Sequence, residues 1–208
     1  MIEFENFRLE ADKEPLLSLP NTRFDTGKKI LVWGNNGIGK TLLLKTLHGD
    51  YNQYAGTIHF TTPSSILKPK KKKQRQSIYM ELIPSLLDNE SVWKNLTLPF
   101  PKLTPYQKHK LQEMCQNVGI HDKISQKIYK LPFSAKKFVE LIRTTVQAPQ
   151  LICIDDFDCY FDEIHYMQAV EILRFATNSG STVLATSKSK LNGFDEVYRI
   201  HNKEMELL

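Results

Sequence analysis

Short apolar runs alternate along the chain with longer segments in which apolar residues recur every three or four positions. The runs KILVW (29–33) and LICI (151–154) are almost wholly apolar, as expected of strands that are buried on both faces. Over 134–147 the apolar positions fall instead on one helical face, marked by Phe138, Leu141 and Ile142. Strands that alternate with helices in this way predict an α/β protein with a parallel sheet.

The predicted helices have recognisable ends. Thr104 followed by Pro105 predicts the start of a helix that closes on Gly119, and Ser134 is the expected N-cap of the next helix. The other predicted elements are helices over 40–49 and about 162–178, and strands at the N-terminus, 56–60, 77–80, 181–187 and around VYRI and EMELL. The alternating N-terminal pattern is typical of a strand and lacks the features of a signal peptide.

Composition narrows the class of protein. With 208 residues and 41% apolar content, the chain suits a single domain spanning 1–208 that buries its own core. No run reaches the roughly 18 apolar residues of a membrane helix, and three scattered cysteines predict neither a disulfide framework nor a metal site. These features favour a protein of the reducing cytoplasm.

The net charge of +5 is concentrated locally. Segment 68–75, KPKKKKQR, carries six positive charges, four of them in the lysine run 70–73. Such a run could attract nucleic acid or an anionic membrane face, or it could be a solvated loop between two strands. No aromatic residue stands among the lysines to stack on bases, so the loop is the favoured interpretation and no nucleic-acid partner is expected.

The stretch GNNGIGKT (34–41) carries the clearest chemistry. It follows a predicted strand, opens a predicted helix and matches the phosphate-loop pattern G-x-x-x-x-G-K-[ST]. Its glycines let backbone N–H groups face a phosphate, and the start of the helix adds partial positive charge. Lys40 is expected to reach the phosphates, and the Thr41 hydroxyl is expected to bind Mg²⁺. The predicted nucleotide contacts are Gly34, Asn35, Asn36, Gly37, Ile38, Gly39, Lys40, Thr41 and Leu42. The alternative is a glycine-rich turn that holds no ligand.

Two adjacent aspartates follow the apolar run LICI. In a phosphate-loop fold, an acidic residue at the end of a hydrophobic strand lies across from the loop and holds Mg²⁺, so Asp155 is a predicted metal residue together with Thr41. Asp156 stands where a general base for water would be, and it is a predicted catalytic residue. The alternative for paired aspartates is a helix cap or a solvated turn.

Together these motifs resemble the nucleotide-binding domain of ABC ATPases over nearly the whole chain. DDFDCYFD (155–162) has the spacing of that family's D-E-P-T-x-x-L-D, and SLLDNESVWKNLTLPF (85–100) is similar to L-L-x-x-x-T-V-x-x-N-V-x-L-P of FtsE-type and LolD-type members, with the FtsE type closer. The resemblance implies a P-loop NTPase fold of the α/β class with a mixed or parallel core sheet, a small antiparallel β-subdomain and a helical subdomain over about 84–135. It also implies ATP and Mg²⁺ as ligands.

The chain departs from the family at positions linked to hydrolysis. LPFSA (131–135) stands where the family has L-S-G-G-Q, so Pro132 and Phe133 replace small residues that approach the γ-phosphate bound by a partner subunit. Asp156 replaces a glutamate that is one methylene longer. A misplacement of about 1 Å at a reacting group can cost about 100-fold in rate.

Three further positions differ from the family pattern. The position of the family's switch histidine falls on Lys188, or on Ser187 if the alignment shifts by one residue. Lys188 is therefore the second predicted catalytic residue. The glutamine expected after SIYM becomes Glu81 or Leu82, which makes Glu81 the third predicted metal residue. No tyrosine stands where the family stacks the adenine ring, and Phe7 is the nearest aromatic residue.

An intact phosphate loop beside altered catalytic positions implies an ABC-type ATPase that keeps nucleotide binding, with weak or no hydrolysis. The first hypothesis is the ATP-binding subunit of an FtsEX-like complex for cell division and cell-wall hydrolase control. It would dimerise on ATP and dock on an FtsX-like integral membrane protein, peripheral on the inner face of the membrane. The alternatives are a LolD-type or MacB-type exporter subunit and a nucleotide-dependent scaffold that does not hydrolyse.

Overall fold

The structure, a computed structural model, describes residues 1–12, 14–19, 21–61 and 77–208. The strands in these ranges are β1 Ile2–Ala11, β2 Glu14–Leu19, β3 Arg23–Phe24, β4 Lys29–Trp33, β5 Tyr54–Phe60, β6 Ser77–Met80, β7 Leu151–Ile154, β8 Thr182–Ser187, β9 Glu196–His201 and β10 Glu204–Leu207. The α-helices are α1 Lys40–His48, α2 Val92–Thr97, α3 Pro105–Asn117, α4 Phe133–Val146 and α5 Glu163–Asn178. The basic segment 68–75 lies outside the described residues.

The strands form one sheet whose two halves run differently. Neighbours β9, β4, β8, β7 and β6 are parallel, whereas β1 pairs antiparallel with β2, β3 and β5. The order across the sheet is β3-β1-β2-β10-β9-β4-β8-β7-β6, with β5 paired to β1. This mixed sheet, with its helices, confirms the predicted α/β fold.

The parallel half is buried on both faces because helices cover it from each side. Leu31, Ile152 and Ile154 belong to one apolar core, which they share with α2, α3, α4 and α5. Their neighbours along the same strands, such as Ile30 and Cys153, point the opposite way into a second core with α1. Successive side chains of a strand alternate between faces, so the uniform apolar runs of the sequence supply both cores at once.

Most predicted helix ends agree with the structure. Thr104 caps α3 in a reciprocal arrangement in which its hydroxyl accepts the Gln107 N–H at 3.2 Å and its own N–H donates to Gln107 Oε1 at 3.0 Å. Helix α1 ends on Gly49, whose φ of 106° is the left-handed conformation favoured by glycine. These local signals lie within a few residues of the ends they mark.

The start of α4 differs from the prediction. The N-cap is Pro132 and the helix begins at Phe133, so Ser134 lies inside the first turn and does not cap it. Pro132 has an extended backbone with ψ of 161°, and its carbonyl accepts the Lys136 N–H at 3.1 Å. Proline lacks an N–H and has a fixed φ, so it is tolerated at the start of a helix, where the N–H groups have no partner within the helix. Helix α4 therefore begins without a side-chain cap.

Among the described residues, no helix combines the length and apolarity needed to cross a bilayer.

Candidate nucleotide-binding site

The phosphate loop connects the carboxyl end of β4 to the first turn of α1. Gly39 precedes the helix with φ of 99°, and a Cβ built on it would lie 3.1 Å from Leu16 Cδ2. A Cβ on Gly34 would lie 2.4 Å from Ile38 Cδ1 and 2.9 Å from the Ile200 carbonyl oxygen. A side chain at position 34 would clash with the packing around the loop, and one at position 39 would be strained by the left-handed backbone, so both positions favour glycine.

Lys40 turns back into the loop that precedes it. Its Nζ donates to the Gly34 carbonyl at 2.8 Å and to the Asn35 carbonyl at 2.9 Å, and only 5% of the residue is exposed. Burial lowers the pKa of Lys40, while the nearby charges of Asp156 and Asp155 act in the opposite direction. The result is a buried cation that the loop carbonyls hold at the start of a helix.

Asp155 collects three hydroxyl donors. Thr41 Oγ1 donates to its Oδ2 at 2.8 Å and the Tyr79 hydroxyl to the same oxygen at 3.0 Å, while Thr186 Oγ1 donates to Oδ1 at 2.7 Å. Burial, followed by the charge of Asp155, raises the pKa of Tyr79, which therefore stays a neutral donor. Sequence reasoning placed Thr41 with Asp155 but missed Tyr79 and Thr186. The adjacency of β6 and β8 to β7 could have suggested both.

Asp156 adopts an unusual backbone conformation next to Asp155. Its φ of 47° lies in the left-handed region, which costs most residues about 1 kcal/mol and aspartate less. Its N–H donates to Thr186 Oγ1 at 2.9 Å, which fixes the peptide that joins the two aspartates. Burial first and the charge of Asp155 next raise the pKa of Asp156, whereas Lys40 and Lys188 lower it. Asp156 and Lys40 line the same cleft.

A cleft of about 310 Å³ lies on the loop. It is lined by Leu16, Asn36, Gly37, Gly39, Lys40, Thr41, Leu42 and Asp156. Phe7 is not among these residues, because it is fully buried in the core with Phe4 and Tyr54 rings 5.2 and 5.3 Å away. Phe7, the aromatic residue nearest to the family's adenine-stacking position, is therefore a core residue. The aliphatic Leu16 lines the cleft instead.

The remaining predicted site residues fall at different distances from the cleft. Lys188 follows β8 and is exposed, and its N–H donates to Asp158 Oδ2 at 3.0 Å. Ser187 is buried, and its hydroxyl donates to the Ser189 carbonyl at 2.6 Å within its own turn. Glu81 is exposed at the end of β6 and does not line the cleft, while its carbonyl accepts a hydrogen bond from Lys137 Nζ.

The hydroxyl oxygen of Thr41 and the carboxylate oxygens of Asp155 are suitable ligands for Mg²⁺. This ion is usually bound through one or two protein oxygens, with water and substrate phosphates completing the shell. Within the described ranges, no cluster of three or more His, Cys, Asp or Glu residues could hold a metal by itself, so the fit rests on this pair beside the loop. When bound, Mg²⁺ would neutralise charge on the β- and γ-phosphates.

These features define a P-loop nucleoside triphosphate-binding fold, in which a glycine-rich loop after a buried parallel strand faces a carboxylate two strands away. The sequence model of the family described as ABC transporter matches residues 17–157, more than half of the chain. The chain therefore belongs to the ABC transporter family, as an ATP-binding domain.

Similar proteins agree with this assignment. The chain is 23% identical to the "Probable ABC transporter ATP-binding protein p29" of Mycoplasma pneumoniae, over 100% of this chain and 91% of that protein. It is 25% identical to the tungstate uptake system ATP-binding protein TupC of Peptoclostridium acidaminophilum, over 90% and 87% of the two chains. The structure of cbiO1 from Clostridium perfringens, part of the complex cbiONQ, has a TM-score of 0.78 at 17% identity, over 99% and 86% of the chains. This structural similarity supports the fold alone.

Proposed function

We propose that the chain binds Mg·ATP at the phosphate loop and serves as the ATP-binding subunit of a membrane complex. The observation that carries the proposal is the 2.8 Å contact between Thr41 and Asp155 beside the buried Lys40. It brings together the oxygens expected to hold Mg²⁺ and the cation expected to hold the phosphates. Membership of the ABC transporter family supports the same function.

Calorimetric titration with Mg·ATP tests the binding step. Lys40→Ala should weaken binding at least about 100-fold, since hydrogen bonds to charged groups contribute about 1.5 to 3 kcal/mol each. Lys28→Ala is the matched control, because Lys28 is exposed and does not line the cleft. Equal binding by all three proteins would contradict the proposal.

We infer that hydrolysis is weak and that Asp156 is its general base. Asp156 lines the cleft together with Lys40, but its side chain is one methylene shorter than the glutamate of the family pattern. Asp156→Glu should therefore raise phosphate release from ATP, whereas Asp156→Asn should abolish any turnover. Brisk turnover by the wild type that is unchanged in Asp156→Asn would exclude this role and leave a different base to be found.

The proposed complex contains two copies of the chain and an integral membrane partner at the inner face of the cell membrane. Family membership supports both partners. Light scattering with and without Mg·ATP tests the homodimer, best in Asp156→Asn so that ATP is not consumed. A species of twice the 24.1 kDa chain mass that forms only with ATP would support it. A monomer under both conditions would contradict the homodimer.

Three kinds of membrane partner are proposed. The similarity of 85–100 to FtsE-type sequences favours an FtsX-like partner, and its similarity to the LolD type makes an exporter the alternative. The name of TupC, an uptake-system protein, favours the permease of an importer. Co-reconstitution in vesicles with each class of partner separates them, because only the cognate partner should change ATP turnover or ATP affinity.

A further inference from the structure

A second cleft, of about 580 Å³, lies between α2, α3 and the segment that follows α3. Its apolar wall is formed by Trp93, Leu103 and Ile124. These three side chains pack against the core and remain partly exposed. Among the described residues, this cleft shares no lining residue with the cleft on the phosphate loop. It is therefore a separate concavity, and its volume is within the range of small-molecule sites.

Backbone hydrogen bonds hold the apolar wall in place. The Trp93 N–H donates to the Ile124 carbonyl at 2.8 Å, and the Val92 N–H donates to the Gln126 carbonyl at 2.9 Å. These two contacts attach the start of α2 to the segment after α3. Leu103 directly precedes the reciprocal cap that fixes the first turn of α3. The apolar wall is therefore preformed, which lowers the entropic cost of binding a ligand.

The rest of the cleft is a polar rim of four residues, Ser91, Lys108, Gln112 and Ser125. None of the described residues that line the cleft is acidic. Lys108 is exposed, and its ammonium group forms no salt bridge within the ranges that the structure describes. The polar rim therefore combines hydrogen-bond donors with one unpaired positive charge.

The sequence next to the cleft residues is also basic. Lysines adjoin three of them, at Lys94, Lys102 and Lys123. The adjoining acidic residues are Glu90, which is exposed, and Glu113, whose carboxylate is paired with a lysine of α3 at 2.8 Å. Asp122, one position further away, has a fully exposed side chain. The lysines outnumber the unpaired carboxylates, so the local charge favours an anionic ligand.

These features define the chemistry of a ligand. Contact between an apolar body and the apolar wall is favourable, because it removes apolar surface from water. An anionic group beside the polar rim would accept a charge-assisted hydrogen bond from Lys108, which is stronger than a neutral one. A cationic ligand would find no carboxylate among the described residues that line the cleft.

We propose that this cleft binds an amphiphilic anion, in which Lys108 contacts a carboxylate or phosphate group and the apolar wall contacts the attached hydrocarbon chain or ring. Such a ligand is either a free organic acid or an anionic lipid of a membrane surface, which share this chemistry. The site lies apart from the phosphate loop, so the inference does not depend on nucleotide binding.

Titration of the nucleotide-free protein with octanoate tests the site, with NMR detection of the indole N–H groups of the two tryptophans. The Trp93 signal should shift to saturation, whereas the signal of Trp33, which does not line the cleft, should not. 1-Octanol and octylammonium carry the same chain without the negative charge, so each should bind at least about tenfold more weakly. No saturable shift of Trp93, or equal affinities for the three probes, would overturn the proposal.

Variants of the polar rim test the assigned contacts. Lys108→Gln should weaken octanoate binding about tenfold and leave the affinity for 1-octanol unchanged. Lys190→Gln is the matched control, because Lys190 is exposed, carries the same charge and lines neither cleft. Ser125→Trp places a bulky side chain at an exposed position of the rim and should weaken binding of octanoate and 1-octanol alike. Octanoate binding that is unchanged in Lys108→Gln, or equally weakened in Lys190→Gln, would overturn the proposal.

Vesicle flotation distinguishes the two sources of the ligand. Vesicles of phosphatidylcholine alone present neutral lipid, and vesicles that also contain phosphatidylglycerol present anionic lipid. Binding to the anionic vesicles that falls in Lys108→Gln but not in Lys190→Gln would support the site and identify a lipid headgroup. Octanoate binding without this dependence of vesicle binding on Lys108 would support the site and identify a free organic acid. If Lys108→Gln weakens neither octanoate binding nor vesicle binding, the proposal is wrong.

Discussion

The starts of helices α1 and α4 are built in different ways. At α1 the chain tightens around Lys40, whose Nζ is bound by two loop carbonyls, and Thr41 contacts Asp155 across the sheet. At α4 the helix begins with Phe133, which is 42% exposed, after a Pro132 that contributes no side-chain cap. One helix start has convergent polar groups that suit a phosphate, whereas the other presents an apolar ring to solvent.

Helix α4 is attached to the rest of the molecule one turn further along. Lys137 is fully buried and forms an ion pair with Glu140 at 2.9 Å, and it lies 4.0 Å from the centre of the Tyr160 ring. Lys137 also donates to the Glu81 carbonyl, and Glu140 accepts the Ser85 N–H at 2.9 Å. The pair therefore holds the segment after β6 against α4. The polar groups at the start of α1 converge on one cleft, whereas the polar groups of α4 are paired with other parts of the chain.

Lys137→Met should cause the largest loss of stability. The change leaves the Glu140 carboxylate buried without its cation, which typically costs about 3 to 5 kcal/mol. Urea unfolding of the nucleotide-free protein measures this loss. Lys136→Met, one residue earlier and with only a 3.7 Å pair to the exposed Asp88, should cost less than about 1 kcal/mol. Similar losses in both variants would mean that the buried pair does not hold α4.

Thr41→Val, in contrast to Lys137→Met, should have a small effect on the free energy of unfolding and a larger effect on ATP binding. Asp155 Oδ2 keeps the Tyr79 hydroxyl as a donor, so unfolding should become easier by only about 1 kcal/mol. Affinity for ATP should fall about 10- to 100-fold with Mg²⁺ present, and the difference should vanish when Mg²⁺ is chelated.

Thr46→Val is the control for this substitution. Thr46 lies on the same helix, and its hydroxyl donates to the Leu42 carbonyl. It should change neither the affinity for ATP nor the dependence on Mg²⁺. If Thr41→Val lost affinity equally with and without Mg²⁺, its hydroxyl would not be a metal contact.

Replacing 132–134 by Ser-Gly-Gly would make the start of α4 resemble the family pattern. Glycine within a helix costs about 0.5 to 1 kcal/mol per residue, so the variant should lose about 1 to 2 kcal/mol in urea unfolding. Without Phe133 the chain could approach a nucleotide held by a second copy, and Mg·ATP should increase the dimer fraction seen by light scattering. An unchanged dimer fraction would show that Phe133 does not limit dimerisation.

The smallest effect is expected from the ionisation of Asp156. Burial and the charge of Asp155 raise the folded-state pKa of Asp156 above its ordinary value, so its contribution to stability is present in acid and is lost as the pH rises through the folded-state pKa. Asp156→Asn carries no charge at any pH. The nucleotide-free variant should therefore melt slightly above the wild type at pH 7, and this difference should shrink on acidification.

Thermal melting at several pH values measures the difference between Asp156→Asn and wild type. Asp122→Asn is the control, because the Asp122 side chain is fully exposed and the substitution reports the loss of one surface charge. A gain for Asp156→Asn that grew in acid would reverse the sign assigned to this carboxylate.

Local sequence signals correctly predicted the fold class and several helix ends, and signals of the same short range led to the candidate site. The cap at Thr104, the glycine after α1 and the phosphate loop each depend on neighbouring residues, and those residues are adjacent in the sequence. The proximity of Thr41 to Asp155 was also predictable, because the loop that leads to Thr41 and the residue Asp155 both follow the carboxyl ends of parallel strands, and such ends meet at one edge of the sheet. The prediction that Ser134 caps α4 was wrong, because the helix begins at Phe133 and Pro132 is the N-cap residue.

The sequence by itself determined the strand–helix order and the loop chemistry, since both arise from short-range periodicity and steric limits. Only the tertiary structure decided that β5 pairs with β1 while β6 pairs with β7, and this placed Tyr79 against Asp155 and buried Phe7 in the core. The contacts of Asp158 and Lys137 likewise join residues 30 to 56 positions apart. Such contacts depend on which strands and helices become neighbours, and that choice is made by the packing of the whole core.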